Sequence, residues 1–500
     1  MVGSTFPPMS YERLTAQDAS FLHVEDEHQP MHVGSLALLD GAPFRDENGR
    51  FKLDEARTII ASRLFLAPRF RRKIMWVPLQ QGRPVWVDDE HFDLTYHVRL
   101  TALPAPGTDE QLLALFSRLQ GHLLDRRRPL WELWFVEGLA DDKVALIQKT
   151  HHCLVDGISG VDVATVLLDL EPDPPRTEAP TWSPEPAPSN RQLLVQSIVE
   201  RATEPAEIAR SARAALRGPS QVVDRVVNMG KTVVATAGTS VPQMPWNVPV
   251  SPHRRWVPAR VPISQVKEIK DGATAAKVTP GKCSLNDVVL AACTGALRTF
   301  LIEREIDTDD VVLKAMVPVS MRSEEERGAL GNRVSMVPAE LPVTESDPLW
   351  RLRLAHENMA ELKASGVALG GDDFLRMTNY LPPTILSIAS RLMVRAQATN
   401  LTITNVPGPQ IPLYCMGSKV IEAFPYVPVV DGMALTIAVL SYNGQLGFGI
   451  TGDRDVLPDI GHLASAIEAA FVELEQAVGT KQKKAKPKAT SKPAAEEAGV

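Results

Sequence analysis

Residues 144–150, Val-Ala-Leu-Ile-Gln-Lys-Thr, run into two adjacent histidines, His151 and His152, followed by Cys153-Leu154-Val155-Asp156-Gly157. The run reads as a buried strand, bounded upstream by the turn-prone pair Asp141-Asp142. Over 159–170 the spacing becomes helical, with Val163, Val166, Leu167 and Leu170 on one face. The histidines are therefore predicted at a strand-to-helix turn, where a rigid support can expose a reactive side chain. Gly157 permits a sharp turn there.

A neutral imidazole can take a proton from a hydroxyl and return it to a leaving group, so a fixed His152 suits general-base acyl transfer. The plainer reading is a core histidine with a satisfied ring. A metal site is a third reading. Adjacent histidines on a strand project in different directions, and neither H-E-x-x-H nor a carboxylate triad lies nearby, so no metal is expected. His151 is expected to pack or hydrogen-bond and so shape the turn. Asp156 can hold the loop in shape, or orient His152 as in a catalytic triad.

Five hundred residues exceed one ordinary core, so two domains or subdomains are expected. Proline-dense residues 171–189 read as a linker, and 191–234, interrupted by Pro205 and Pro219, as shorter bridging helices. The expected division is an N-terminal subdomain over 1–175, linker and bridging helices over 176–250, a C-terminal subdomain over 251–479, and a disordered lysine-rich tail over 480–500. In the second half, Ser284-Leu285-Asn286-Asp287 opens a helix by a capping pattern. Val289, Ala292, Cys293, Ala296, Leu297 and Phe300 line one face of it. Strands are expected over 311–319, 401–406, 433–442 and 446–451, with a last helix capped by Asp459. Interleaved strands and helices give the class α/β (α+β).

A net charge of -7 is mild on this length and argues against a nucleic-acid partner. The four cysteines show no C-x-x-C spacing and fit a reducing cytoplasm better than a disulfide framework. The longest apolar runs, 288–297 and 433–440, are about half of the ~20 residues that cross a bilayer. Residues 1–8 lack the basic-then-apolar pattern of a secretion signal.

The stretch 151–157 fits HHxxxDG, the signature of the CoA-dependent acyltransferase superfamily, which includes chloramphenicol acetyltransferase and the condensation domains of peptide synthetases. Leu14-Thr15-Ala16-Gln17-Asp18-Ala19-Ser20-Phe21 and Pro30-Met31-His32-Val33-Gly34 make the match closer. So do Pro129-Leu130-Trp131, Asn286-Asp287, Pro318-Val319-Ser320-Met321-Arg322, Gly331-Asn332 and Asn405-Val406-Pro407-Gly408-Pro409. In that order the blocks resemble the bacterial, actinobacterial-type wax ester synthase/acyl-CoA:diacylglycerol acyltransferases. The resemblance covers residues 10–478.

The resemblance implies two chloramphenicol-acetyltransferase-like subdomains with a channel between them, and His152 reachable from both mouths. It implies long-chain acyl-CoA as donor and co-substrate, diacylglycerol or a long-chain alcohol as acceptor, and no further cofactor. It implies that Asp156 points away from His152 and pairs with Arg322 of the other subdomain. Asn286 and Asp287 need no chemistry as first-turn residues of a capped helix, yet the family associates this pair with activity. The Asn286 amide would either lie near the reacting carbonyl or brace the channel wall. Trp131, Leu133 and Phe135 alternate on one strand face, which is first a core signal and second an acyl-channel lining.

Two rivals stand beside this reading. One is another HHxxxDG acyltransferase with a different acceptor, weakened for condensation by the lack of a flanking carrier domain. The other is a catalytically silent lipid-binding paralogue, against which the intact motif argues. The expected location is the cytoplasm, with peripheral contact to the inner membrane or lipid droplets. The lysine tail would add about 1 kcal/mol per residue of attraction to anionic lipid.

Overall fold

The computed structural model describes residues 11–155, 166–175, 178, 180–200, 241–320, 334–365, 387 and 399–485. Strands of the first half are β1 (His32–Asp40), β2 (Val98–Ala102), β3 (Trp131–Glu137) and β4 (Lys143–His151). Those of the second are β5 (Arg254–Pro262), β6 (Leu313–Ser320), β7 (Val334–Leu341), β8 (Leu401–Pro407), β9 (Tyr414–Cys415), β10 (Ser418–Tyr426), β11 (Leu435–Tyr442) and β12 (Gln445–Asp453). They form two six-stranded mixed sheets, ordered β9-β10-β1-β4-β3-β2 and β7-β6-β8-β11-β12-β5. A small three-stranded sheet, Glu12–Arg13 with Val85–Asp88 and Arg72–Met75, flanks the first.

Alternation makes the first sheet. Trp131, Leu133 and Phe135 on β3 and Val144 and Leu146 on β4 point into one core. The opposite face of β4, with Ala145 and Ile147, packs into another. The core side is covered by α1 (Ala16–Val24) and α2 (Leu53–Arg63), and the other by α3 (Asp109–Gly121). Thr108 and Gln111 close a capping box at the start of α3. At the end of β4 the chain turns directly into the short α4 (His152–Val155).

In the second half α5 (Ile263–Ala275), α6 (Leu285–Ile302), α7 (Pro348–Ala364) and α8 (Gly461–Ala485) cover the second sheet. Ser284 and Asp287 form the capping box that the sequence pattern predicts for α6. This helix is longer than the apolar run 288–297 suggests. By length and composition it could cross a membrane, but 72% of it is buried, and it is the central core helix of this half. The expected strands 311–319, 401–406, 433–442 and 446–451 appear as β6, β8, β11 and β12, shifted by one or two residues at most ends.

Two features differ from expectation. Asp459, expected to cap the last helix, lies two residues before its start at Gly461, and its carboxylate pairs with Arg304. And α8 continues to Ala485, so residues 480–485 are helical rather than disordered; 486–500 lie outside the described residues. Residues 190–200 are helical, whereas 180–189 hold no regular structure. Most of the helix expected over 159–170, and the bridging residues 201–234, also lie outside the description.

The halves are not separate. β10, from the second half, pairs antiparallel with β1 and so completes the first sheet. Trp256 of β5 packs with Leu36, Phe116, Phe424 and Tyr426 in a core shared by both halves. At this seam β12 lies against β10 so closely that a Cβ on Gly449 would stand 1.8 Å from the Pro425 carbonyl oxygen, and one on Gly447 2.3 Å from that of Ala423. Only glycine allows that approach.

Candidate active site

β4 pairs antiparallel with β1 so that His151 lies opposite His32. Main-chain bonds then pin the turn. The His151 N–H donates to the Leu130 carbonyl (2.9 Å) and the His152 N–H to the Met31 carbonyl (2.8 Å). From this shared anchorage the two rings go to different places.

His151 is fully buried. Its Nδ1 accepts the Cys153 N–H at 3.1 Å, so its proton sits on Nε2, which faces Glu25 Oε1 at 3.3 Å. The ring of His152 is half-buried and stacks on Phe21 of α1, with centroids 4.0 Å apart and planes at 20°.

Glu25 follows α1 directly, and its side chain is 1% exposed. Oε1 accepts the Met31 N–H (3.0 Å) and faces both His151 and His32 Nε2 (3.5 Å). Oε2 accepts two bonds from Arg126, at 3.0 Å from Nε and 2.7 Å from Nη2. Burial alone would raise the Glu25 carboxyl, but the hydrogen bond from His151 and the charge of Arg126 outweigh it and hold it at about 2. The carboxylate is ionised. Burial, and then the nearby Lys149 charge, hold the His32 ring well below the usual histidine range, so it is neutral.

Lys149 lies on the same face of β4 as His151, across from Gly34 on β1 and Glu132 on β3. Its Nζ donates to the His122 carbonyl, and burial pushes its pKa down to about 8. Cys153 is fully buried, and burial drives its thiol well above the ordinary range, which removes it as a thiolate nucleophile.

Asp156, Gly157 and Arg322 lie outside the described residues, and so does the pairing expected between Asp156 and Arg322. Asn286 and Asp287 open α6 in the second half. The Asp287 carboxylate accepts the Ser284 N–H (2.8 Å) and meets His356 Nδ1 (2.8 Å), so the cap occupies it; Asn286 beside it is half-buried. Trp131, Leu133 and Phe135 are buried core residues, and Trp131 Nε1 donates to the Phe70 carbonyl (2.8 Å). Among the described residues, no group of three or more His, Cys, Asp or Glu is spaced to hold a metal ion.

Sequence reading missed Glu25, Arg126 and the stacking role of Phe21. Phe21 and Met31-His32 fall in recognisable blocks, but Glu25 stands between them in a stretch with no periodic signal.

A cleft of about 830 Å³ opens at the seam, between α3 and the start of β5. Arg118, His122, Arg255 and Arg454 line it, and Trp256 is part of its wall. Arg118 and Arg255 are exposed and form no ion pair among the described residues. The His122 carbonyl that holds Lys149 ties this wall to β4, two residues before His151.

A family model described as the wax ester synthase/diacylglycerol acyltransferase catalytic domain matches residues 14–289, and one for the C-terminal domain of that family matches 330–475. A relative in Mycobacterium tuberculosis named "probable diacylglycerol O-acyltransferase", tgs1, is 35% identical over 92% of this chain and 95% of its own length. A second from that organism, tgs2, is 34% identical over 92% and 98%. Among solved structures, the wax ester synthase/diacylglycerol acyltransferase from Marinobacter aquaeolei superposes with a TM-score of 0.64 at 30% identity, covering 94% of this chain and 100% of that one. A trichothecene 15-O-acetyltransferase from Fusarium sporotrichioides shares the fold alone, with a TM-score of 0.60 at 13% identity over 94% of this chain and 95% of that one. Matched over both halves by family models and by relatives of full length, the chain belongs to the wax ester synthase/diacylglycerol acyltransferase family.

Proposed function

We propose that this chain transfers a long-chain acyl group from acyl-CoA to the hydroxyl of diacylglycerol, forming triacylglycerol, with a long-chain alcohol as a second acceptor and His152 as general base. One observation carries the reading: the two motif histidines are not equivalent. His151 is sealed, its Nδ1 accepting the Cys153 N–H and its Nε2 facing Glu25, whereas His152 holds a half-buried ring on Phe21 and a pinned backbone. A base needs that combination of access and fixed direction.

In this reading His152 takes the hydroxyl proton as the oxygen attacks the thioester carbonyl carbon. The tetrahedral intermediate then collapses. The C–S bond breaks, the C–O bond of the ester remains, and the proton passes from His152 to the departing CoA sulfur. Transfer is direct, which agrees with a Cys153 thiol buried in its protonated form. The activated acyl group comes from the co-substrate, so no cofactor is needed. We assign the phosphates of CoA to the seam cleft, whose volume suits a small-molecule ligand and where Arg118 and Arg255 form no ion pair among the described residues. Because acceptor and product partition into lipid, the protein would act peripherally, at the cytoplasmic face of the inner membrane or on lipid droplets.

The test is incubation of purified protein with labelled palmitoyl-CoA and either diacylglycerol or hexadecanol, followed by separation of neutral lipids. Labelled triacylglycerol is the expected product, with less wax ester. His152→Ala should keep the fold and lose about 10²–10⁴-fold in rate; full activity in that variant would sink the mechanism. Cys153→Ala should keep most activity, and an acyl-thioester trapped on Cys153 would replace direct transfer by a covalent route.

A further inference from the structure

Glu25 is the meeting point of a closed circuit of contacts around the backbone of His152. On one side its Oε1 accepts the Met31 N–H (3.0 Å), and the Met31 carbonyl accepts the His152 N–H (2.8 Å). On the other side Oε1 faces His151 Nε2 (3.3 Å), and His151 Nδ1 accepts the Cys153 N–H (3.1 Å). The His152–Cys153 peptide bond closes the ring. The same helix end supports the imidazole, because the Glu25 N–H donates to the carbonyl of Phe21 (3.0 Å), on which His152 stacks.

We infer that Glu25 is a positioning residue for acyl transfer: it fixes the direction of His152 through Met31 and through His151, without touching substrate. The inference rests on the reading of His152 as general base. Three donors meet the Glu25 side chain, the Met31 N–H, His151 Nε2 and the Arg126 guanidinium, while the neutral His32 ring stands farther off, at 3.5 Å. A carboxylate can only accept, and so satisfies all of them. A glutamine cannot, because its NH₂ must face either Arg126 or the pair Met31 and His151. The carboxylate also holds the His151 proton on Nε2 and leaves Nδ1 free for Cys153. An ion pair that only stabilised the fold would need Arg126 and nothing else.

Four variants and a control test this, each assayed as kcat per folded molecule with KM for both substrates. Glu25→Asp keeps the charge for Arg126 but is one methylene too short to span to Met31 and His151 as well. It should fold, and kcat should fall about tenfold. Glu25→Gln should lose about 10–100-fold in kcat, the scale of a misdirected catalytic group, with KM unchanged within about twofold. In His151→Asn the shorter amide can still accept from the Cys153 N–H but no longer reaches Glu25. If Glu25 acts through His151, the double variant Glu25→Gln/His151→Asn should lose little more than the worse single.

Wild-type kcat in folded Glu25→Asp, or losses that multiply in the double variant, would overturn the positioning role. Should Glu25→Gln fail to fold, Glu25→Asp alone decides. His152→Ala, run beside them, separates the two layers: activity retained there defeats the base itself, whereas an inactive His152→Ala with a fully active Glu25→Asp defeats only Glu25.

Discussion

A lysine buried on the strand that ends at the histidine pair makes a measurable claim about charge. Lys149 is 2% exposed, and burial lowers its pKa from 10.5 to about 8. Between those values the unfolded chain still holds the proton and the native state has released it. Stability therefore rises with pH across that window. The shift corresponds to on the order of 3 kcal/mol. Thermal unfolding of the wild type and of Lys149→Met, followed from pH 7.5 to 10.5, should show the wild type gaining on the variant as pH rises; parallel curves would mean that Lys149 does not release its proton in the native state. At this scale the sequence was informative where chemistry repeats a pattern. His152 stands out through its neighbour, its turn and the following Asp-Gly. Glu25 does not, because Met31, His32, Arg126 and His151 reach it from separate stretches, and one acid among 60 announces no partner.

Elements were easiest to read where their signal is local. The capping box at Ser284 and Asp287 lies within four residues, and α6 starts where it says. The alternation of Trp131, Leu133 and Phe135 on β3 likewise survives into the structure, since all three point into one core. Sheet membership is a different matter, since pairing is long-range, and nothing within β10 shows that it joins β1, almost four hundred residues earlier in the chain. The glycines of β12 are the trace that this arrangement leaves. A Cβ at Gly449 would also stand 2.8 Å from Trp256 Nε1, so neither the Pro425 backbone nor the indole leaves room. Gly449→Ala should cost about 2–3 kcal/mol in denaturant unfolding. Gly461→Ala, where an added Cβ meets nothing within 4 Å, should leave stability unchanged or slightly raised. Matching unfolding curves for the two variants would show that the close approach of the strands is not needed.

Across the whole molecule, length and a proline-rich stretch were enough to suggest two halves, but not that they share a core and a strand exchange. That exchange turns the seam into a fixed wall rather than a hinge, with Trp256, Phe116 and Phe424 packed across it and Arg260 forming a bidentate pair with Glu422 (2.8 and 2.9 Å). A cleft in such a wall keeps its shape without a ligand, so its charges are set in advance for an anion. If the CoA phosphates lie there, reversing Arg118 and Arg255 should weaken acyl-CoA binding while sparing the base and the acceptor side. Exposed pairs contribute up to about 1 kcal/mol each, so Arg118→Glu/Arg255→Glu should raise KM for acyl-CoA about tenfold at low salt. Added salt should shrink the difference, because the charges are open to solvent. KM for diacylglycerol and the rate at saturating acyl-CoA should stay near wild type. An unchanged KM for acyl-CoA at low salt would move the phosphates out of this cleft, and a fall in kcat with KM constant would mean that the two arginines shape the seam rather than hold the donor.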